Sequence, residues 1–139
     1  MRTKNKTIKK VLVEDLKKLR KHLEYSYEKV AKISFDKEWR EEELEVLESF
    51  SSRFSRFSDL IVSQYFRSLA LEQDPGYRGA VIDQINLAEK NGWIDSAETW
   101  KRIRELRNIA AHEYEAEDYK KIYRELISLT PVLLKISLI

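Results

Sequence analysis

The sequence predicts an all-α fold, an up-and-down bundle of about five helices in one domain spanning residues 1–139. Only three glycines and two prolines punctuate the chain, whereas an all-β fold would need many more turn residues. Apolar residues recur every three or four positions over long stretches, which is the period of an amphipathic helix. The charged fraction of 36% suits helices whose outer faces carry salt bridges.

Composition also narrows the cellular setting. The chain has no cysteine, which excludes disulfides and thiolate metal sites and is compatible with a reducing cytoplasm. No stretch approaches the roughly 18 apolar residues of a membrane span. Glu14 and Asp15 interrupt the apolar run after the basic start, so the sequence predicts no signal peptide. We therefore expect a soluble cytoplasmic protein with no membrane partner.

The first two helices are predicted over residues 4–34 and 39–71, with Asp36 as the candidate N-cap in the junction between them. The first helix starts with a basic cluster, which can bind phosphate, although a solvated terminus is the commoner explanation. The second would be on the order of 50 Å long, so part of it should project or pack against another subunit. The predicted apolar faces comprise Ile8, Leu12, Leu16, Leu19, Leu23, Tyr27, Val30 and Ile33, and then Trp39, Leu44, Leu47, Phe50, Phe54, Phe57, Ile61, Tyr65, Phe66 and Leu69.

Phenylalanines alternate with arginines in the middle of the second helix. Phe50, Phe54 and Phe57 are interleaved with Arg53 and Arg56. Such a pattern can stack on nucleic-acid bases, but the helical spacing of the rings favours packing in the core. The serines between them are small enough for another helix to approach closely: Ser51, Ser52, Ser55 and Ser58.

Turn residues separate the shorter helices. A break at residues 74–76 precedes a helix over residues 79–90, which Asn91 and Gly92 should end as a left-handed cap. The last helix begins in an acidic patch at residues 115–118, and Pro131 should bend it or end it. The apolar tail at residues 131–139 should pack on the core or on a second chain. The predicted buried positions are Val81, Ile82, Ile85, Leu87 or Ala88, Ile122, Tyr123, Leu126, Ile127 and Leu129.

The penultimate helix is predicted to start at Asp95, with Glu98 completing a capping box. On a helical wheel Arg107 falls in the middle of its apolar arc, beside a polar stripe that holds Asn108 and His112. A buried guanidinium without a partner costs several kcal/mol, roughly, so this arginine needs a partner or a use. The apolar arc comprises Trp100, Ile103, Leu106, Ala110, Ala111 and Tyr114.

Simple structural roles stay open for each of these residues. Arg107 can pair with Glu105, with Glu113 or with an acid on a neighbouring helix. His112 can be a polar residue favoured by the dipole at a helix end, and Tyr114 can be one more core aromatic with its hydroxyl at the rim.

Arg107, His112 and Tyr114 have the spacing Arg, four residues, His, one residue, Tyr. This string resembles the RX4HXY motif of the HEPN superfamily, and specifically of HepT-type toxins. Asn108 fits as well, because a polar residue, commonly Asn, follows the arginine in that superfamily. The resemblance spans residues 50–123, including the segments FSRFSDL and NGWIDSAETWKRIRELRN, while the first helix is similar only by type.

The resemblance implies a HEPN-like homodimer in which the motif helices of two protomers form one composite cleft. Within one straight helix Arg107 and His112 lie ~140° apart, which is awkward for a site made by a single chain. Pairing two helices removes this difficulty, and Ala110 and Ala111 are small enough to permit it.

The implied activity is a metal-independent endoribonuclease with no cofactor, leaving a 2′,3′-cyclic phosphate. His112 would act as general base or acid on the ribose 2′-hydroxyl or the leaving 5′-oxygen. Arg107 would hold the scissile phosphate and stabilise its developing charge, and Asn108 would orient the histidine or the phosphate.

The implied partner is a small MNT-type nucleotidyltransferase antitoxin, which would use ATP to add AMP to Tyr114 and so block the cleft. One alternative is a non-catalytic nucleotide- or substrate-binding partner subunit of a minimal nucleotidyltransferase. A weaker one is a purely structural helical dimer. The intact set of Arg107, Asn108, His112 and Tyr114 favours the toxin.

Overall fold

The computed structural model describes the backbone of residues 2–110 and 116–139, and the side chains of residues 8–110 and 118–139. The described residues are all helical or irregular, with no strand among them, which confirms the predicted all-α class. The elements are α1 (Arg2–Val30), α2 (Glu41–Leu60), a π-helical segment (Ile61–Tyr65), α3 (Phe66–Gln73), α4 (Val81–Lys90), α5 (Ala97–Ala110) and α6 (Ala116–Leu134).

The long rod, made of α2, the π segment and α3, is the centre of the bundle. On α2 it contacts α1, α5 and α6, and further along it contacts α4. The rod is continuous and can be counted as one helix. The described residues then form five helices, as predicted. Its predicted contact with another subunit stays a prediction, as does the homodimer.

The phenylalanines of α2 fill the core. Phe50, Phe54 and Phe57 have no exposed surface, which confirms the core interpretation, and the alternative of base stacking is wrong. Burying each ring stabilises the fold by roughly 1.5–3 kcal/mol. Between them Arg53 donates from Nη1 to Ser26 Oγ at 2.7 Å, tying α2 to α1.

The π segment explains how the rod keeps one face on the core. Buried positions recur every four residues at Phe54, Ser58, Val62, Phe66 and Ala70. On a pure α-helix this spacing drifts by about 40° per step. The wider π turn, with its hydrogen bonds from residue i to i+5, offsets that drift. The Phe66 N–H accordingly donates to the carbonyl five residues earlier.

Gln84 secures the π segment from α4. Its side chain is 2% exposed, and its Nε2 donates to the Val62 carbonyl at 2.5 Å. Ile82, which the sequence predicted to be buried, is 48% exposed because it lies on roughly the opposite side of α4. Ile85 and Ala88 are buried as predicted, whereas the helix begins at Val81, two residues later than expected.

Several helix ends differ from the prediction. The N-cap of α2 is Arg40, not Asp36, and the Arg40 N–H donates to Glu43 Oε1 at 3.0 Å. The predicted capping box at Asp95 is wrong, because α5 begins at Ala97 and Ser96 Oγ accepts the Thr99 N–H at 3.2 Å.

Other ends follow the prediction. Gly92 has a φ of 74°, as a left-handed cap after α4 requires. Asp74 Oδ1 accepts the Gly76 N–H at 3.0 Å, which makes the predicted turn. Helix α1 ends at Val30, four residues early, and Ile8 is 57% exposed instead of buried.

The C-terminal tail packs on the core. Pro131 does not end α6, which continues to Leu134, and Ile136 and Leu138 are buried beyond it. The Tyr65 hydroxyl on the rod donates to the Ser137 carbonyl at 3.0 Å. In the described part of the chain, no helix is long and apolar enough to cross a membrane.

Gln84→Leu is expected to lower the free energy of unfolding by about 1–3 kcal/mol, because the Val62 carbonyl loses a buried donor. Urea unfolding followed by circular dichroism measures the change. The matched control is Asn86→Leu, an exposed amide two residues along the same helix. Equal stability of Gln84→Leu and the wild type would contradict this role of Gln84.

Candidate functional site

Arg107 lies in the last turn of α5 and faces α2. Its Nε donates to Asp59 Oδ2 at 2.7 Å, and the two side chains are 37% and 32% exposed. An acid on a neighbouring helix is therefore a partner of Arg107, while Glu113, another predicted partner, lies outside the described residues. Glu105 instead pairs with Arg102 Nη1 at 2.9 Å.

Asn108 holds a second edge of the same guanidinium. Its Oδ1 accepts from Arg107 Nη1 at 3.2 Å. Within the part of the chain that the structure describes, Nη2 has no hydrogen-bond partner. The guanidinium is thus fixed on two sides and retains N–H groups for another acceptor.

An open cleft of about 270 Å³ lies beside Arg107. Three helices line this cleft: α5, which carries Arg107, together with α2 and α6. The described lining consists of Glu48, Ser51, Ser52, Ser55, Arg107, Ala110 and Tyr123. Ser58, the fourth serine of the predicted small-residue set, is instead buried, with its Oγ donating to the Ser55 carbonyl.

Tyr123 brings a protonated phenol to this cleft. Its side chain is only 7% exposed, and burial, together with the negative charge of Glu48, raises its pKa to about 12. The hydroxyl therefore keeps its proton at neutral pH and can donate a hydrogen bond. The sequence predicted Tyr123 only as a core residue, because periodicity does not distinguish a core tyrosine from one at a cleft wall.

Aromatic and ionic contacts fix the start of α6 next to the cleft. The Tyr123 ring packs edge-on against Trp39, with centroids 5.8 Å apart. Lys120 Nζ donates to the carbonyl of Lys37 at 3.0 Å, which ties the junction before α2 to α6. Arg102 on α5 makes a two-pronged pair with Glu125 on α6, at 2.6 and 2.7 Å.

His112 and Tyr114, the other two members of the predicted motif, lie outside the described residues. Of the four predicted site residues, the structure brings together Arg107 and Asn108. It adds Asp59 and Glu48, which the sequence analysis did not single out. The FSRFSDL segment could have pointed to Asp59, because this acid follows two phenylalanines that the helical spacing predicts to be buried.

Replacing Glu48 with Gln is expected to lower the pKa of Tyr123 from about 12 toward its ordinary value of 10.0, but not all the way, because burial is the larger cause. The phenolate absorbance of each protein, minus that of its Tyr123→Phe counterpart, gives this pKa. Stability from the protonated phenol is full below pH 10.0 and is lost as pH rises through about 12. Glu45→Gln, an exposed change on the same helix, is the control, and an equal pKa in all three proteins would contradict the placement of Glu48.

Comparison with known families identifies the family of the chain. The sequence profile of the family described as Ribonuclease HepT-like matches residues 61–137, more than half of the chain. The match covers the π segment, all elements after it and the positions of Arg107, Asn108, His112 and Tyr114. No curated protein and no solved structure matches the chain significantly. The chain therefore belongs to the HepT-like ribonuclease family.

Proposed function

We propose that this protein is the toxin of a HEPN/MNT toxin–antitoxin system, an endoribonuclease that cleaves RNA without a metal ion. The observation that carries the proposal is the placement of Arg107: its Nε is anchored on Asp59, and the residue lines an open cleft. A family of ribonucleases supplies the reaction class.

Arg107 is the proposed phosphate-binding residue. A guanidinium has five N–H donors, and Asp59 and Asn108 use two of them, one on Nε and one on Nη1. The remaining donors can bind two oxygens of one phosphate in the bidentate manner typical of arginine. They stabilise the charge that builds up on the phosphate oxygens as the reaction proceeds.

His112 is the proposed acid–base residue. It takes the proton of the ribose 2′-hydroxyl, the 2′-oxygen attacks phosphorus, and the bond to the 5′-oxygen breaks as that oxygen receives a proton. The products are a 2′,3′-cyclic phosphate and a 5′-hydroxyl end. Asn108 acts on the phosphate through Arg107, since its Oδ1 binds the guanidinium.

The proposed site is completed by a second copy of the chain. Arg107 and His112 are about 140° apart around one straight helix, whereas two motif helices meeting across a two-fold axis can supply both groups to one phosphate. The small side chain of Ala110 lines the cleft and leaves room for the second helix. The active form is thus a homodimer.

Tyr114 is the proposed site of control by the antitoxin. An MNT-type nucleotidyltransferase would transfer AMP from ATP to the tyrosine hydroxyl, with release of pyrophosphate. The added phosphate and base would occupy the cleft and offset the charge of Arg107. The support for this step is the position of Tyr114 in the motif, two residues after His112.

RNA cleavage in EDTA is expected for the wild type and not for Arg107→Ala or His112→Ala. Loss of the phosphate contact should lower the rate about 10²–10³-fold, and loss of the acid–base group about 10²–10⁴-fold. Mass spectrometry of the products should find 2′,3′-cyclic phosphate ends. Arg78→Ala, an exposed change far along the chain from the motif, is the matched control and should cleave normally.

A wild-type protein that is a folded dimer, carries no AMP and cuts no RNA would contradict the nuclease. That result would favour the non-catalytic partner subunit of a nucleotidyltransferase.

Treatment with ATP and an MNT-type nucleotidyltransferase is expected to add AMP to the wild type and abolish its RNA cleavage. Tyr114→Phe should gain no AMP and keep its activity, because it lacks the acceptor hydroxyl. Intact-mass spectrometry and the cleavage assay measure the two effects. Modification of Tyr114→Phe to the same extent would contradict Tyr114 as the acceptor.

A further inference from the structure

Asp59 lies outside the motif and outside residues 61–137, the range matched by the family. We infer that Asp59 is a positioning residue, which holds the Arg107 guanidinium so that its Nη edge faces the scissile phosphate. The inference rests on the proposed ribonuclease function and names a residue that this function does not assign.

The contact has a specific geometry. Asp59 Oδ2 accepts from Nε at 2.7 Å, and does not use the Nη atoms. A carboxylate on Nε fixes the rotation of the guanidinium about the side chain and leaves the Nη edge open. Asn108, which is on the same helix as Arg107, accepts from Nη1 through its Oδ1 and restrains the plane of the guanidinium. Two anchors on two helices thus define one orientation.

Asp59 itself is firmly placed. It follows the buried pair Phe57 and Ser58 on α2 and lies two residues before the π segment. Its carbonyl accepts from Ser63 Oγ at 2.6 Å, one turn along the rod. Gln84 holds the next turn through the Val62 carbonyl. π turns inside long helices frequently occur at functional sites, and here the π turn adjoins the residue that holds the arginine.

The negative charge of Asp59 indicates that it affects the rate of cleavage and not the affinity for RNA. A carboxylate beside the guanidinium partly neutralises the charge that attracts RNA, so it does not increase affinity for the phosphate in the ground state. Its contribution is orientation: a misplacement of about 1 Å can cost about 10²-fold in rate. Loss of such an interaction lowers kcat without raising KM.

The alternative is an ion pair that serves only to join two helices. Partly exposed pairs of this kind contribute little to stability, so Asp59→Ala should remain folded. A structural role would therefore leave kcat for the folded protein unchanged, and the two roles are separable by kinetics.

The test compares Asp59→Ala and Asp59→Asn with the wild type in the RNA cleavage assay. Asp59→Ala removes the acceptor of the Nε–H, and kcat should fall about 10–100-fold with KM unchanged or lower. Asn keeps an oxygen acceptor at the same place, so Asp59→Asn should restore much of the rate. Asp36→Ala removes an exposed carboxylate with no Arg107 contact and controls for net charge.

A second readout does not depend on activity. The Nε–H of Arg107, assigned by its absence in Arg107→Lys, should exchange slowly with water in the wild type and faster in Asp59→Ala. An unchanged exchange rate would overturn the inference, as would an unchanged kcat or an Asn variant no better than Ala.

These failures are distinct from failure of the proposed function. If wild type cuts RNA while Asp59→Ala cuts equally well, this inference fails and the ribonuclease stands. If the wild type cuts no RNA, the ribonuclease fails, and a protected Nε–H then marks a structural pair, which overturns the positioning role.

Discussion

The candidate site is built around the ion pair between Arg107 and Asp59. It joins α5 to α2 at 2.7 Å between two side chains that are each about one third exposed. An arginine in the apolar arc of a helix is acceptable in this fold because α2 presents an acid opposite it. Arg107 also lines an open cleft, so the residue that this contact holds is the one proposed to bind phosphate.

The packing of the long rod fixes the position of Asp59 in that contact. Its buried side chains follow a four-residue spacing, and the π segment brings this spacing back onto the core side. Asp59 sits just before the change from α to π geometry, between the fully buried Phe57 and Ile61. The rod is in turn held by Gln84 from α4 and by the tail through Tyr65. The buried neighbours of Asp59 on the rod therefore fix its position, and its hydrogen bond to Nε orients Arg107.

Much of the fold could be predicted from the sequence, because amphipathic spacing identifies helices and their inner faces. The helical spacing correctly predicted that Phe54 is buried, and the conformational freedom of glycine correctly predicted that Gly92 is a left-handed helix cap. The predicted burial of Ile82 was wrong because the buried face of α4 includes the polar Gln84, whereas apolar patterns favour an isoleucine over a glutamine at a core position. Asp59 could not be assigned, since periodicity does not say which helix faces which. The resemblance predicted Arg107 and Asn108 as site residues, and the fold shows which side chains contact them.

The most direct test of this account is a crystal structure with a short RNA whose reacting 2′-hydroxyl is replaced by a 2′-methoxy group, which cannot be cleaved. The account predicts a phosphate whose oxygens accept from the Nη edge of Arg107, while Nε remains on Asp59. An RNA bound away from the cleft, or an Arg107 that leaves Asp59 to reach the phosphate, would contradict it.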